Sequence, residues 1–371
     1  MSDGAGWLKW LVASLSRVVR TVASFEGLYV LALFSGTFRP APLLRSLPVN
    51  LTAVLMAVGT LAGGYALWRR GWHLPRRGMV QMAWLSGFFA WLLLSMAWSP
   101  APSYAREKAL EVVGLCGWFA AGAALIIAHD PKRIQRYLVL IAALAVWVAA
   151  VAAPAPSARL IAPLGANYLN VGRLVGLGLL ILYGSFLFGR WTLWRRLALA
   201  VPMALLGYVL VSLRGRGPLL ATALAALCPL ACGLRVLANG HVRVRVYAIG
   251  LVGLLGIAAL MVVTLVLLGG ALPSSLQRLV AGITEESESD AQRLEMIDVA
   301  LRAWSQRPVR GQGIGSFDFL YSGMLDGVYY PHNIVLEILA ELGLIGGVLF
   351  SLALGPGLGA LGLPRRWRGD P

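Results

Sequence analysis

The sequence predicts an all-α polytopic membrane protein with about ten transmembrane helices. Of its 371 residues, 58% are hydrophobic and only 13% are charged, and the mean hydropathy is +0.75. Soluble domains are typically about 45–50% apolar. The charged residues stand in clusters separated by apolar stretches of 17 or more residues. Such stretches can cross a bilayer core of roughly 30 Å, and the alternating segments of a membrane β-barrel are absent from the sequence.

We predict ten spans along the chain. The first is the weakest, because Glu26 interrupts its apolar run. The seventh and eighth are separated only by the tight turn RGRG. The predicted spans cover residues 22–38, 49–68, 79–98, 109–128, 137–153, 171–188, 197–213, 217–238, 246–270 and 333–362.

The basic residues orient these spans and account for the net charge of +16. With a cytoplasmic N-terminus, the inner loops hold 19 of the 32 Lys and Arg residues, short outer loops and span ends hold 8, and one long outer loop holds 5. An excess of Lys and Arg on the cytoplasmic side is the general rule for membrane proteins. The charge therefore predicts that both termini are cytoplasmic, and it does not indicate nucleic-acid binding.

The long outer loop, residues 271–332, is large enough to hold structure of its own. Its segment SDAQRLEMIDVALRAWSQRP predicts a helix, because apolar residues recur at helical spacing and Pro308 follows. The apolar positions are Leu294, Ile297, Leu301 and Trp304. The next segment, GQGIGSF, has the glycines of a phosphate loop. It lacks a preceding strand and a clear following helix, so turns are the better interpretation.

Several basic residues on the outer side are candidates for function, because charges near membrane spans are costly. His332, where the loop meets the last span, could act as a general base, contact a phosphate, or simply cap and pack. Arg214 and Arg216 in the tight turn could bind a diphosphate or only set charge. Arg173 could face a cavity or extend to the interface, and Arg293 could lie on a solvated helix face.

Acidic residues leave further alternatives open. Glu337 and Glu341, four residues apart on one face of the last span, would line a cavity under His332 or pair with Arg173. The acidic run 285–290 would hold a divalent metal or, more simply, form a solvated loop before a helix N-terminus. The sequence shows no aspartate pair of the kind that holds magnesium for nucleotide-sugar transfer. We therefore expect no metal and no cofactor.

The start of the last span carries a pattern that resembles a known family. HNIVLEILAELGLIGG reads as His-Asn, nine residues and Gly-x-x-Gly, formed by His332, Asn333, Gly343 and Gly346. The pattern resembles the O-antigen ligase and O-antigen polymerase superfamily of bacterial surface-polysaccharide assembly, particularly its ligases. The asparagine is also typical of a helix N-cap, and the glycines are typical of close helix packing in membranes.

Further segments agree with this resemblance and occur in the family's order. LRGRGPLLATALA resembles the family's Ser-Arg-Gly span start, with Arg216 as the better match, Arg214 as the second, and Gly215 in place of the serine. QRLEMIDVALRAWSQRPVRGQGIGSF resembles a loop segment with an arginine-led helix, a proline and a Gly-x-Gly turn, and Arg293 takes the place of the arginine. PLGANYLNVGRL is a weaker likeness to an upstream segment that contains asparagine.

The resemblance implies a lipid-linked oligosaccharide glycosyltransferase of GT-C-like architecture in the bacterial inner membrane. It would transfer a glycan from undecaprenyl diphosphate to a hydroxyl group of lipid A-core. His332 would be the catalytic base, and Arg216 and Arg293 would stabilise the diphosphate leaving group. The substrate-binding residues would be Arg214, Arg173 and Asn333.

The predicted spans and their orientation divide the chain into parts, and the resemblance gives the long loop its catalytic role. The parts are a cytoplasmic amphipathic N-terminus (1–21), nine transmembrane helices (22–270), a periplasmic catalytic loop (271–332), a last transmembrane helix (333–362) and a cytoplasmic tail (363–371). A polymerase of the same superfamily is the alternative activity. A lipid-linked glycan transporter without chemistry is a further alternative. It would predict internal repeats and broken helices near the midplane, and the sequence shows neither.

Overall fold

The computed structural model describes residues 21–74, 76–156, 160–189, 191–213, 215–233, 288–324 and 329–362. The chain forms two compact units. The first unit comprises Met1–Ala62 and Ile134–Glu285, and the second unit comprises Gly63–Arg133 and Glu286–Pro371.

The described residues are mostly helical. The helices are α1 (Phe25–Phe38), α2 (Pro42–Arg45), α3 (Leu51–Trp68), α4 (Arg76–Ser95), α5 (Pro102–Glu111), α6 (Gly117–Ala121), α7 (Pro131–Ala152), α8 (Tyr168–Phe188), α9 (Leu193–Ser212), α10 (Arg216–Gly233), α11 (Glu288–Gln306), α12 (Ser316–Ser322) and α13 (Ile334–Gly362). The π-helical turn Val112–Cys116 joins α5 to α6, and a second π-helical turn, Gly122–Ile127, continues α6, so that Pro102–Ile127 is one long helix. Strands β1 (Leu160–Ile161) and β2 (Ala166–Asn167) pair antiparallel before α8.

Within the described part of the chain, seven helices are long and apolar enough to cross a membrane, which confirms an all-α polytopic membrane protein. They are Leu51–Trp68, Gly78–Trp98, Pro102–Ile127, Pro131–Ala152, Tyr168–Phe188, Leu193–Ser212 and Ile334–Gly355. The predicted first and eighth spans are present as shorter apolar helices, Phe25–Phe38 and Arg216–Leu227. The predicted ninth span, 246–270, lies outside the described residues. A total of ten spans therefore stays a prediction.

The core of the first unit is formed mainly by α7, α8 and α9. Its fully buried side chains include Val148, Val171, Val175 and Leu206. Glu26, which interrupts the apolar run of α1, is also completely buried, and its carboxylate lies 3.3 Å from the Arg136 guanidinium. An ionised group in an apolar environment requires such a partner.

In the second unit, α4 packs along α13, and α11 packs on α13 and α12. The buried face of α11 consists of Met296, Ala300 and Ala303, together with the partly buried Val299. Two residues of the predicted apolar stripe, Leu294 and Leu301, are instead 67% and 42% exposed. The predicted helix is confirmed, and its buried face consists mainly of small residues instead of these two leucines.

Candidate functional site

Two parallel helices of the first unit begin at the same end. Gly172 of α8 faces Pro218 of α10, and Gly176 faces Thr222 one turn later. The residue numbers rise together along both helices, so the helices are parallel. A side chain at Gly176 would collide with the Thr222 hydroxyl, so the helices approach as closely as small residues allow.

Two of the predicted arginines lie at this shared end. Arg216 is the first residue of α10 and is half-buried, and Arg173 is exposed and directly follows Gly172. Gly215 is buried against the rings and side chains of Tyr168, Leu169 and Pro218. The third predicted arginine, Arg214, lies outside the described residues.

The local electrostatics at this end are positive. Each helix N-terminus carries a partial positive charge and free backbone N–H groups. The Asn167 side chain caps α8 by accepting a 2.9 Å hydrogen bond from the Leu169 N–H. Two helix N-termini at one end, with an arginine near the start of each helix, suit an anion with several oxygens, such as a diphosphate.

In the second unit, His332 stands directly before α13 and is exposed. Its backbone has φ 51°, in the left-handed region that histidine visits more readily than most residues. The prediction that Asn333 caps the helix is confirmed, because its Oδ1 accepts hydrogen bonds from the N–H groups of Val335 (3.0 Å) and Leu336 (3.2 Å). The Tyr330 ring packs on the imidazole with ring centroids 4.3 Å apart.

His332 and Arg293 share one environment. Partial burial lowers the pKa of His332 below its usual value, and the positive charge of Arg293 on α11 lowers it further. Both effects disfavour the imidazolium form. Two residues that are 39 positions apart in the chain therefore interact electrostatically, and the interaction favours the form of the histidine that can accept a proton.

The last span is a broken helix. Gly343 has φ 66° and ψ −165°, which divides α13 into a first half, Ile334–Leu342, and a second half that begins at Leu344. The sequence predicted close helix packing for this glycine and showed no sign of a broken helix. The position requires glycine for its backbone conformation, and the close approach that it allows is to the backbone of Val309 and Gly311, which is not helical.

The segment 308–313 supplies hydrogen bonds at the break. The Pro308 and Val309 carbonyls accept from the N–H groups of Leu344 and Ile345, at 2.9 and 3.2 Å. The N–H groups of Gln312 and Gly313 donate to the carbonyls of Ala340 and Glu341, at 2.9 and 2.8 Å. Trp91 Nε1 donates to the Leu342 carbonyl at 2.9 Å. Irregular backbone at membrane depth requires such partners.

The glycines of this segment serve the docking, and the predicted turns are confirmed. Gly311, Gly313 and Gly315 all have positive φ. A side chain at Gly311 would collide with the Glu341 backbone, and one at Gly313 would lie within 2.7 Å of Ser99 Cα.

Lys108 was not identified from the sequence, although it is the partner of Glu337 and Glu341. Its Nζ lies 2.6 Å from Glu337 Oε1 and 2.9 Å from both carboxylate oxygens of Glu341. The structure gives the two glutamates this partner instead of Arg173. The detectable signal was the pair of carboxylates on one helix face, which requires a cation within an apolar span. Among the described residues, no three His, Cys, Asp or Glu side chains gather so that they could hold a metal ion.

Comparison with known families agrees with this part of the chain. Residues 201–351 match the model of a family described as O-antigen ligase. The resemblance predicted from the sequence is confirmed over this range, which contains Arg216, Arg293 and His332. No curated protein and no solved structure matches the chain.

Proposed function

We propose that this protein transfers a glycan from undecaprenyl diphosphate to a hydroxyl group of lipid A-core at the periplasmic face of the inner membrane, as an O-antigen ligase. The family match over residues 201–351 supports an activity of the O-antigen ligase or polymerase type. The observation that carries the proposal is the positive end of the first unit, where α8 and α10 begin together with Arg173 and Arg216.

In this proposal the first unit binds the donor diphosphate. Guanidinium groups form paired, charge-assisted hydrogen bonds with phosphate oxygens. Negative charge grows on the diphosphate as the bond from its oxygen to the anomeric carbon breaks. Donors that are already in place at that point stabilise the transition state more than the ground state. Arg216 is the first choice for this role, and Arg214 and Arg173 add to it.

His332 acts on the acceptor in this proposal. The acceptor oxygen attacks the anomeric carbon and forms the new glycosidic bond, while its proton passes to the imidazole. The electron pair of the broken bond leaves with undecaprenyl diphosphate. The lowered pKa keeps His332 unprotonated near neutral pH, and Arg293 adds positive charge beside it for the leaving group. Asn333 contributes by capping the helix that begins there.

A polymerase of the same superfamily would use the same chemistry, with a second glycan unit as acceptor. A transporter would form no new glycosidic bond. The broken α13 has the irregular backbone that transporters also use, so this alternative is retained as an outcome of the experiment.

The experiment is a transfer assay with purified protein, EDTA and an undecaprenyl-diphosphate glycan, to which either lipid A-core or more donor is added. We expect transfer to lipid A-core, with about 100-fold or greater loss in His332→Ala and in Arg216→Ala. Matched controls are His129→Ala and Arg106→Ala, both at exposed residues to which the proposal gives no role, and these should retain activity. Elongation of the donor alone would identify a polymerase. Absence of transfer by folded protein to either acceptor would contradict the transferase proposal.

A further inference from the structure

The half-helix Ile334–Leu342 carries His332 at its start and is held by two kinds of contact. The first is the set of backbone hydrogen bonds between segment 308–313 and the break at Gly343. The second is the ion cluster of Lys108, Glu337 and Glu341.

The ion cluster ties three elements of the second unit to one another. Lys108 is in α5, and both glutamates are in the first half of α13. Glu341 also accepts a hydrogen bond from the Phe317 N–H at 3.4 Å, at the start of α12. The side chains are 17% exposed for Lys108, 23% for Glu337 and 4% for Glu341. Largely buried charges are costly to leave without a partner, so these contacts favour one arrangement of the three side chains.

The cluster is also close to the proposed base along the helix. The Glu337 N–H donates a hydrogen bond to the carbonyl of Asn333, the residue after His332. Glu337 therefore lies one helical turn beyond Asn333. A shift of the half-helix would therefore move His332 relative to Arg293, which is on α11. Simple neutralisation of buried charge would need only one carboxylate for one lysine, whereas two carboxylates converge on Lys108.

We propose that Lys108 is a positioning residue, which by binding Glu337 and Glu341 fixes the half-helix Ile334–Leu342 against α5 and α12 and so keeps His332 beside Arg293. This inference rests on the proposed function, in which His332 takes the acceptor proton. Lys108 itself would touch neither substrate.

The test compares variants that separate lost contacts from altered charge. The double variant Lys108→Met/Glu341→Gln removes the contacts and, counted with ionised glutamates, keeps the formal charge of the cluster at one negative. Lys108→Arg retains a cation, and Lys132→Met makes the same substitution at an exposed lysine. Transfer kinetics would be measured with thermal unfolding. The imidazole of His332 would be titrated by NMR of protein labelled at histidine, of which the chain has four.

We expect the double variant to lose kcat by about tenfold or more, because small misplacements of a catalytic group are costly, with little change in KM. The pKa of His332 should rise toward its usual value as Arg293 and the imidazole separate. Lys108→Arg should recover much of kcat, and Lys132→Met should behave as the wild type. If the double variant does not fold, Glu337→Gln takes its place, because it removes only one contact. The inference is then tested by the kcat of that variant and by its His332 titration.

Two results would overturn the inference: wild-type kcat in the contact-deficient variant, or an unchanged His332 titration in a variant that has lost activity. The failure of the proposed function gives a different pattern. Either the folded wild type would then give no transfer, or His332→Ala would remain fully active, while the titration of His332 would still respond to the loss of Lys108.

Discussion

Glycine is used in opposite ways in the two units. In the first unit, Gly172 and Gly176 have ordinary helical backbone and serve only to let α8 and α10 approach each other. In the second unit, Gly343 and Gly311 adopt positive φ and meet each other's backbone across the break in α13. The difference shows that one residue type can serve close side-chain packing at one place and backbone geometry at another. Only the former is open to compensation by a neighbouring substitution.

The largest expected effect is that of Gly343→Ala. The new side chain would collide with the Val309 backbone, and its φ of 66° is strained for any other residue. We expect a loss of at least about 3 kcal/mol in unfolding free energy, or no folded protein. Unfolding by SDS in mixed micelles would measure this loss of unfolding free energy. Gly355→Ala is the control, because a side chain there meets nothing within 4 Å. Equal stability of the two variants would refute the role of the break.

Gly176→Ala should have an intermediate effect that a neighbour can relieve. The added methyl group would collide with the Thr222 hydroxyl, which is a side-chain atom. Overpacking of this kind costs about 1–3 kcal/mol. The double variant Gly176→Ala/Thr222→Ala should recover most of the loss in the same unfolding assay, and Gly184→Ala on the same helix should cost little. Persistence of the full loss in the double variant would show that α8 and α10 are not held by this contact.

The two helix caps should have similar, smaller effects. Asn167 caps α8 and Asn333 caps the half-helix of α13. Each Asn→Ala substitution should cost about 1 kcal/mol of stability, and each Asn→Asp should cost much less. Transfer rates of the stable Asn333→Asp variant sharpen the comparison. A large rate loss without a stability loss would mean that the amide contacts substrate as well as capping the helix.

The smallest expected effect is a shift in the pH profile of transfer. The Arg293 charge lowers the pKa of His332, so its removal in Arg293→Gln should raise that pKa. A base must be unprotonated, and the acidic limb of kcat/KM should therefore move to higher pH. Arg302→Gln, on the same helix but paired with Asp298, should leave the limb in place. An unmoved limb in Arg293→Gln would show that the titrating group is not His332.

The sequence allowed prediction of features that depend on local composition. Span lengths follow from apolar runs, and the cap at Asn333 follows from residue type and position. The break at Gly343 could not be predicted, because it depends on hydrogen bonds from a segment about 30 residues upstream. Helical spacing predicted α11 itself, whereas its buried face, with Met296, Ala300 and Ala303, depends on the elements that it meets in the fold. Lys108 was missed because its partners are 229 and 233 positions away.

The division of labour between the two units is the central claim, and direct binding of undecaprenyl diphosphate tests it without any transfer. The account predicts that Arg173→Ala/Arg216→Ala binds this lipid at least about tenfold more weakly than the wild type, because charge-assisted hydrogen bonds are lost. His332→Ala should bind it with a Kd close to that of the wild type. Wild-type affinity in the double arginine variant would contradict the account, since α8 and α10 would then not be the donor site.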